Sequence, residues 1–193
     1  MNILYLGPSS DLVDFIACAD YVSRIEQKIE ETDADFIVSY GYRHILPADL
    51  CQKFDGRAVN LHISMLPWNR GAHPNYWSHA DGTPCGVTIH YIGEGLDKGD
   101  IAYQQLCFPT EGDTLRTSHE ALQRAIERLF MANWTDIRNG NAYVRRQKQG
   151  GEGTYHCKAD LPHLPLGWDT PVWQVQAERV ERIGEMVCEN VFA

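Results

Sequence analysis

The stretch "AVNLHISMLPWNRGAHPNYW", Ala58 to Trp77, organises the reading of the chain. It starts as a strand, with Val59, Leu61 and Ile63 alternating with Asn60, His62 and Ser64. A period of two sends one set into a core and the other to the opposite face. Asn60 and His62 therefore share a face, about 7 Å apart along the strand. An amide NH2 in that position suits a carbonyl oxygen that becomes an oxyanion. An imidazole beside it suits hydrogen bonding or proton transfer near neutral pH. The same spacing also fits a solvated polar face, so the pair alone assigns nothing. The strand then breaks into a loop holding Trp68, Asn69, Arg70, Asn75, Tyr76 and Trp77. Its guanidinium matches phosphate or carboxylate geometry and its rings offer stacking faces. Alternatively, the two Trp side chains anchor the loop on the core.

Working outward, "NILYLG" at Asn2 to Gly7 reads as a buried first strand and "DFIVSYGY" at Asp35 to Tyr42 as a second. Between them Leu12, Phe15, Ile16, Ile25 and Ile29 follow helical spacing in part. "PADLCQKF" fits a short helix with Pro47 at its first turn, and "PNYWSHADG" a helical turn or two. "GVTIHYI" and "DIAYQQLCF" both alternate and flank "GEGLDKGD", which predicts an antiparallel hairpin with an enlarged tip. Leu115, Leu122, Ile126 and Leu129 line one stripe of a long helix, with Asp113 or Thr114 as its cap and Gly140 as its stop. "AYVRRQKQ" reads as a polar edge strand whose basic cluster, Arg145 to Gln149, blocks strand addition. The segment from Gly150 is irregular until a final helix around Gln174 to Cys188. Strands alternating with helices and then pairing as a hairpin predict an α/β layered fold with a mixed sheet.

The bulk properties bound the possibilities. The 193 residues suit one domain, and 44% hydrophobic with 22% charged residues is enough for a packed core. A net charge of −9 argues against broad nucleic-acid binding. No apolar run is long enough to span a bilayer and "MNILYLGPSS" lacks signal-peptide character, so the expectation is a cytoplasmic protein without membrane contact. The six cysteines are scattered without a CxxC pair, which predicts reduced, mostly buried thiols and neither a zinc site nor a disulfide framework.

Two further segments carry possible chemistry. In "GEGLDKGD", Asp97 stands among Gly93, Gly95 and Gly99, whose backbones permit close approach. Such a carboxylate could orient water, accept a proton or steer a histidine, although Asp and Gly are also simple turn formers. Glu94 reads as exposed and Asp100 as a strand-edge residue. "SYGYRHILP", Ser39 to Pro47, follows a strand where α/β sheets place ligands, and Ile45 and Leu46 could supply an apolar wall. An ordinary strand-to-helix connection would look the same. The "GPSSDLVD" segment lacks GxGxxG, and Ser9, Ser10 and Ser64 lack a nucleophile-elbow context.

Taken together, "NLHISMLPWNRGAHPNYW" followed by "GVTIHYIGEGLDKGDI" resembles the formyltransferase family that uses 10-formyltetrahydrofolate. The likeness covers about Asp35 to Phe108, with a weaker echo through the Leu115 to Gly140 helix. It implies a Rossmann-like core with a mixed, mostly parallel sheet flanked by helices, shortened at the N-terminus because Gly7 to Asp35 is brief. Residues 1–149 would form the catalytic core and 150–193 an extension with a terminal helix. By the resemblance Asn60, His62 and Asp97 are the catalytic trio. Tyr42, Arg43, His44, Ile45, Leu46, Gly93 and Gly95 are the cofactor-binding candidates, for 10-formyltetrahydrofolate as formyl donor with no metal. Arg70, Asn75 and Trp77 are candidates for the acceptor.

The resemblance implies a small-molecule primary amine as partner, with an amine on a sugar nucleotide among the options, and it allows a homodimer. "PWNRGAHPNYW" and "GTYHCKADL" look most like the branch acting on nucleotide-linked amino sugars. The chain does not resemble the arrangement in which methionyl-tRNA formyltransferases add a barrel for tRNA. Formyl transfer to another small amine, as in glycinamide ribonucleotide formyltransferase, formylfolate hydrolysis, and a non-catalytic folate-binding module are the alternatives.

Overall fold

Alternation along the strands decides which helix lies on which face. The computed structural model describes residues 1–147 and 153–191. Strand β1 (Asn2–Leu6) sends Ile3 and Tyr5 to one face and Leu4 and Leu6 to the other, and all four are buried. Helix α1 (Asp11–Ala17) starts at Ser10, whose hydroxyl accepts the Leu12 N–H at 3.3 Å. Strands β2 (Tyr21–Ile25) and β3 (Phe36–Tyr40) follow, then helix α2 (Ala48–Lys53) and strand β4 (Ala58–His62). The short β5 (Arg70–Gly71) and helix α3 (Pro74–Ala80) precede the hairpin of β6 (Gly86–Tyr91) and β7 (Ile101–Leu106). Helix α4 (Leu115–Arg138), the short β8 (Tyr155–His156) and helix α5 (Val172–Val191) complete the order.

The main sheet runs β2-β1-β3-β4-β6-β7. Its first four strands are mutually parallel, and β6 and β7 are antiparallel additions. Leu12 and Ile16 of α1 and Leu122, Ile126 and Phe130 of α4 cover the face that carries Ile3, Tyr5, Val38, Val59, Leu61 and Ile89. Leu50 of α2 and Phe54 just after it cover Leu4, Leu6, Ile37 and Ala58 on the other. Asn60 and His62 follow Ala58 at even spacing, so they lie on the α2 face at the open carboxyl end of β4.

Three expectations are corrected. The helical spacing that reached Ile29 stops at Ala17, because Tyr21–Ile25 pairs in parallel with β1 as an edge strand. Long-range pairing outweighs the fortuitous spacing of Ile25 and Ile29. "AYVRRQKQ" forms no edge strand among the described residues: Arg145 makes one backbone bridge to Ile101, and Lys148 and Gln149 lie outside the described residues. The cysteines are free but not buried, with Cys18 exposed and Cys51, Cys85, Cys107 and Cys157 half-buried; the Cys188 side chain lies outside the described residues. Among the described residues no helix is long and apolar enough to cross a membrane.

The described part of the C-terminal segment returns to the core. β8 pairs in parallel with β5, and α5 packs on α3 around Tyr76, Trp77, Ala80 and Val175. α3 is tied to α4 through buried polar groups. Asn75 donates to the Leu115 carbonyl at 2.8 Å and accepts from the Ser118 hydroxyl at 2.6 Å, and His79 Nε2 donates to that same hydroxyl at 3.3 Å. Burial pushes the His79 pKa down to about 4 from 6.5. Because the folded value lies below the ordinary one, the unfolded chain takes up its proton first as pH falls. Stability is therefore expected to drop between about pH 6.5 and 4, by up to roughly 3 kcal/mol. Melting temperature measured across that range should fall less steeply in His79→Gln; identical slopes would exclude His79 as the source.

Candidate active site

The expected trio meets at one point because a strand pair and a loop deliver it there. In the β4–β6 register Asn60 stands opposite His90 and His62 opposite Thr88. Apolar Val87, Ile89 and Tyr91 take the α4 face, so His90 and Thr88 share the face of Asn60 and His62. Asp97 comes from the tip of the β6–β7 hairpin, with φ at 52° and 7% exposure. The loop closes tightly there: a Cβ on Gly99 would lie 1.7 Å from the Tyr91 carbonyl oxygen. Gln147 holds it from the far side, its amide donating to the carbonyls of Asp97 at 2.9 Å and Gly99 at 2.7 Å.

Around the Asp97 carboxylate the distances are short. Oδ2 accepts the Gly71 N–H at 2.8 Å and lies 3.7 Å from His62 Nδ1. Oδ1 accepts the Asn60 amide at 3.3 Å and lies 3.4 Å from His90 Nε2. His90 Nδ1 donates to the Tyr91 carbonyl at 2.8 Å, and its Nε2 lies 3.2 Å from the Asn60 amide nitrogen. Burial pushes the Asp97 carboxyl up, but the charge that His62 carries once protonated, the contact with His90 and the Gly71 N–H outweigh it and hold it well below the usual carboxylate range. An ionised carboxylate thus stands between two imidazoles.

These groups line one end of a cavity of about 750 Å³. Tyr42, His44, Ile45, Leu46, Gly93 and Gly95 line it, as does the newly evident Ile92. Only the ring of Tyr42 is available, since its hydroxyl donates to the Gln27 carbonyl at 2.8 Å and accepts the Ile29 N–H at 3.2 Å. Arg43 is exposed and does not line the cavity. From the α4 side His119 and Gln123 reach it. Burial pushes the His119 pKa down, which favours its neutral form.

The acceptor candidates fare differently. Asn75 is 1% exposed with its amide committed to α4, and Trp77 is 8% exposed and stacked on His156 at 3.8 Å with an interplanar angle of 4°. Neither lines the cavity. Pro74 opens a helix there, and its turns direct both side chains inward. Arg70 does not line it either, and donates to Gln147 at 2.9 Å. Lining residues outside the expected set include His90, Gly71, His119 and Gln123. His90 was detectable in principle: Thr88 and His90 are the polar alternates of "GVTIHY", as Asn60 and His62 are of their strand.

The chain matches the family model described as Formyl transferase over residues 13–133. That span holds Asn60, His62, His90, Asp97, His119 and Gln123. The chain belongs to the formyl transferase family. A solved relative is the formyltransferase PseJ from Anoxybacillus kamchatkensis, in complex with UDP-4,6-dideoxy-4-formamido-L-AltNAc and tetrahydrofolate. It shares 44% identity at a TM-score of 0.87, over 93% of this chain and 100% of that one. The dTDP-4-amino-4,6-dideoxyglucose formyltransferase of Mycobacterium tuberculosis is 30% identical over 83% of this chain and 66% of its own. The human trifunctional purine biosynthetic protein adenosine-3 is 31% identical over 65% of this chain and 12% of its own. The chain thus spans 12% of the length of one of those two curated relatives and 66% of the other.

The tight loop gives a direct test of the geometry. Gly99→Ala is expected to lower stability by about 1–3 kcal/mol, because the new methyl meets backbone rather than a movable side chain. Urea unfolding measures this, and an unchanged midpoint would show that the loop yields.

Proposed function

We propose that this formyl transferase moves the formyl group of 10-formyltetrahydrofolate onto a primary amine carried by a nucleotide-linked sugar. The observation that carries the reading is the convergence of Asn60, His62, His90 and Asp97 at one end of a single cavity. The apolar wall of Ile45, Leu46 and Ile92 suits the flat pterin of the donor. The nature of the acceptor is supported by PseJ, which is matched along its whole length and was solved with a UDP-linked formamido sugar.

In this reading the donor places its formyl carbon beside Asn60 and His62, and the amine approaches from the side of His119 and Gln123. The amine lone pair forms a bond to the formyl carbon, and the C=O π pair moves onto oxygen. The Asn60 amide, held to His90 and Asp97 by long bonds of 3.2 and 3.3 Å, turns one N–H to that oxyanion. His62 takes a proton from the new ammonium, and the ionised Asp97 stabilises the resulting imidazolium. The oxyanion pair then re-forms the C=O bond as the bond from carbon to folate N10 breaks, the pair of that bond staying on N10, which takes up the proton from His62. The products are a formamide and tetrahydrofolate. A metal has no required part, because the carbon is already activated as an N-formyl group.

The test is folate release from 10-formyltetrahydrofolate with a panel of amino-sugar nucleotides. Turnover should require the amine. Asn60→Ala and His62→Ala should each lower kcat on the order of 10²–10³-fold with little change in donor binding. Release without acceptor would indicate hydrolysis, and donor binding without release under any condition would sink the enzyme reading.

A further inference from the structure

His62 has two ring nitrogens, and the fold gives them different tasks. Nε2 lies 3.0 Å from the Asn69 carbonyl oxygen. A carbonyl only accepts, so Nε2 carries the hydrogen and the lone pair of the neutral ring stands on Nδ1. Nδ1 faces Asp97 at 3.7 Å, at the end of the cavity where both residues lie.

What holds the Asn69 carbonyl in place comes from far along the chain. Asn69 is fully buried and left-handed, with φ at 57°, a conformation that asparagine tolerates. The Thr154 hydroxyl accepts the Asn69 N–H at 2.8 Å and donates to Asn69 Oδ1 at 2.8 Å. Asn69 Nδ2 donates to the Thr83 hydroxyl at 2.7 Å. The Thr154 carbonyl accepts the Arg70 N–H at 3.0 Å, which opens the β5–β8 pairing. The preceding residue must be glycine: Gly153 has φ at 121°, and a Cβ there would lie 2.3 Å from the Pro67 carbonyl oxygen. Ser64 donates to the neighbouring Trp68 carbonyl at 2.8 Å, so the peptide before Asn69 is fixed as well.

We propose that Thr154 is a positioning residue for the transfer: through Asn69 it holds His62 as the Nε2–H tautomer and makes Nδ1 the nitrogen that moves the proton. The catalytic half of this assignment rests on the formyl-transfer reading. The proton leaves the ammonium of the tetrahedral adduct for Nδ1, whose new N–H points to Asp97, and leaves again for folate N10 as the C–N10 bond breaks. A fixed tautomer matters because a ring with its hydrogen on Nδ1 has no lone pair there to receive that proton. Gly153, Thr154 and β8 therefore support the site although none of them lines the cavity.

The test uses the full chain, with the His62 tautomer read from long-range 1H–15N correlations and kinetics measured alongside. Wild type and Thr154→Ser, which keeps the hydroxyl, should show Nε2–H. Thr154→Val removes the hydroxyl at nearly constant volume. It should populate both tautomers and lower kcat about 10- to 100-fold at unchanged donor KM, the scale of a small misplacement of a reacting group, and Thr154→Ser should restore both. If Thr154→Val does not fold, Asn69→Gly, which still adopts the left-handed backbone but lacks the side-chain bonds, carries the same expectation. A wild-type His62 with its hydrogen on Nδ1, or a folded variant whose tautomer and kcat do not change together, would overturn the proposal. Nε2–H in wild type with no formyl transfer to any amine would sink the transfer reading and leave the clamp on His62 standing.

Discussion

A buried carboxylate must be answered by donors or charge, and the Asp97 carboxylate is 7% exposed. The answer comes from separate parts of the chain: the Gly71 N–H after the strand-breaking loop, the Asn60 amide on β4, and the rings of His62 and His90 on paired strands. No two adjacent residues could supply that set. The mixed sheet, with β6 antiparallel to β4, places His90 directly opposite Asn60. The hairpin tip then folds Asp97 back over that pair, and Gln147 keeps it there. The site is the junction that these elements share, which is why the carboxylate stays ionised although burial alone would favour its protonated form.

How much of this was legible differs from residue to residue. Asn60 and His62 could be read as neighbours because a strand has a strict period of two. Asp97 could be joined to them only through a resemblance, since nothing local in "GEGLDKGD" tells a turn-forming aspartate from one that is packed between imidazoles. His90 sat in a quoted strand, yet its meeting with Asn60 depends on the β4–β6 register, which is a long-range property. Tyr21–Ile25 misled because Ile25 and Ile29 happen to keep helical spacing, whereas the segment finds backbone partners on β1. Asn75 and Trp77 show another limit: an amide and an indole in a polar loop suggest ligand contact, and the sequence does not show that the helix beginning at Pro74 packs both against α4 and His156.

The same junction explains the role of the chain's later segments. α4 covers one sheet face with Leu122, Ile126 and Phe130, and its exposed end brings His119 and Gln123 to the cavity. β8 carries no cavity-lining group among those described, but the strand it adds to β5 holds the loop whose Asn69 carbonyl meets His62. The apolar cavity wall, the α4 side chains at the cavity and the ring of His62 are thus each supported by a different part of the fold.

The fate of the formyl carbon tests the central claim most directly. With 10-[13C]formyl-tetrahydrofolate, an amino-sugar nucleotide and the protein, 13C NMR follows the label. Its appearance in a formamide on the sugar amine, in step with tetrahydrofolate formation, is the expected result. Label appearing as free formate, or remaining on the folate with every amine tried, would contradict transfer at this site.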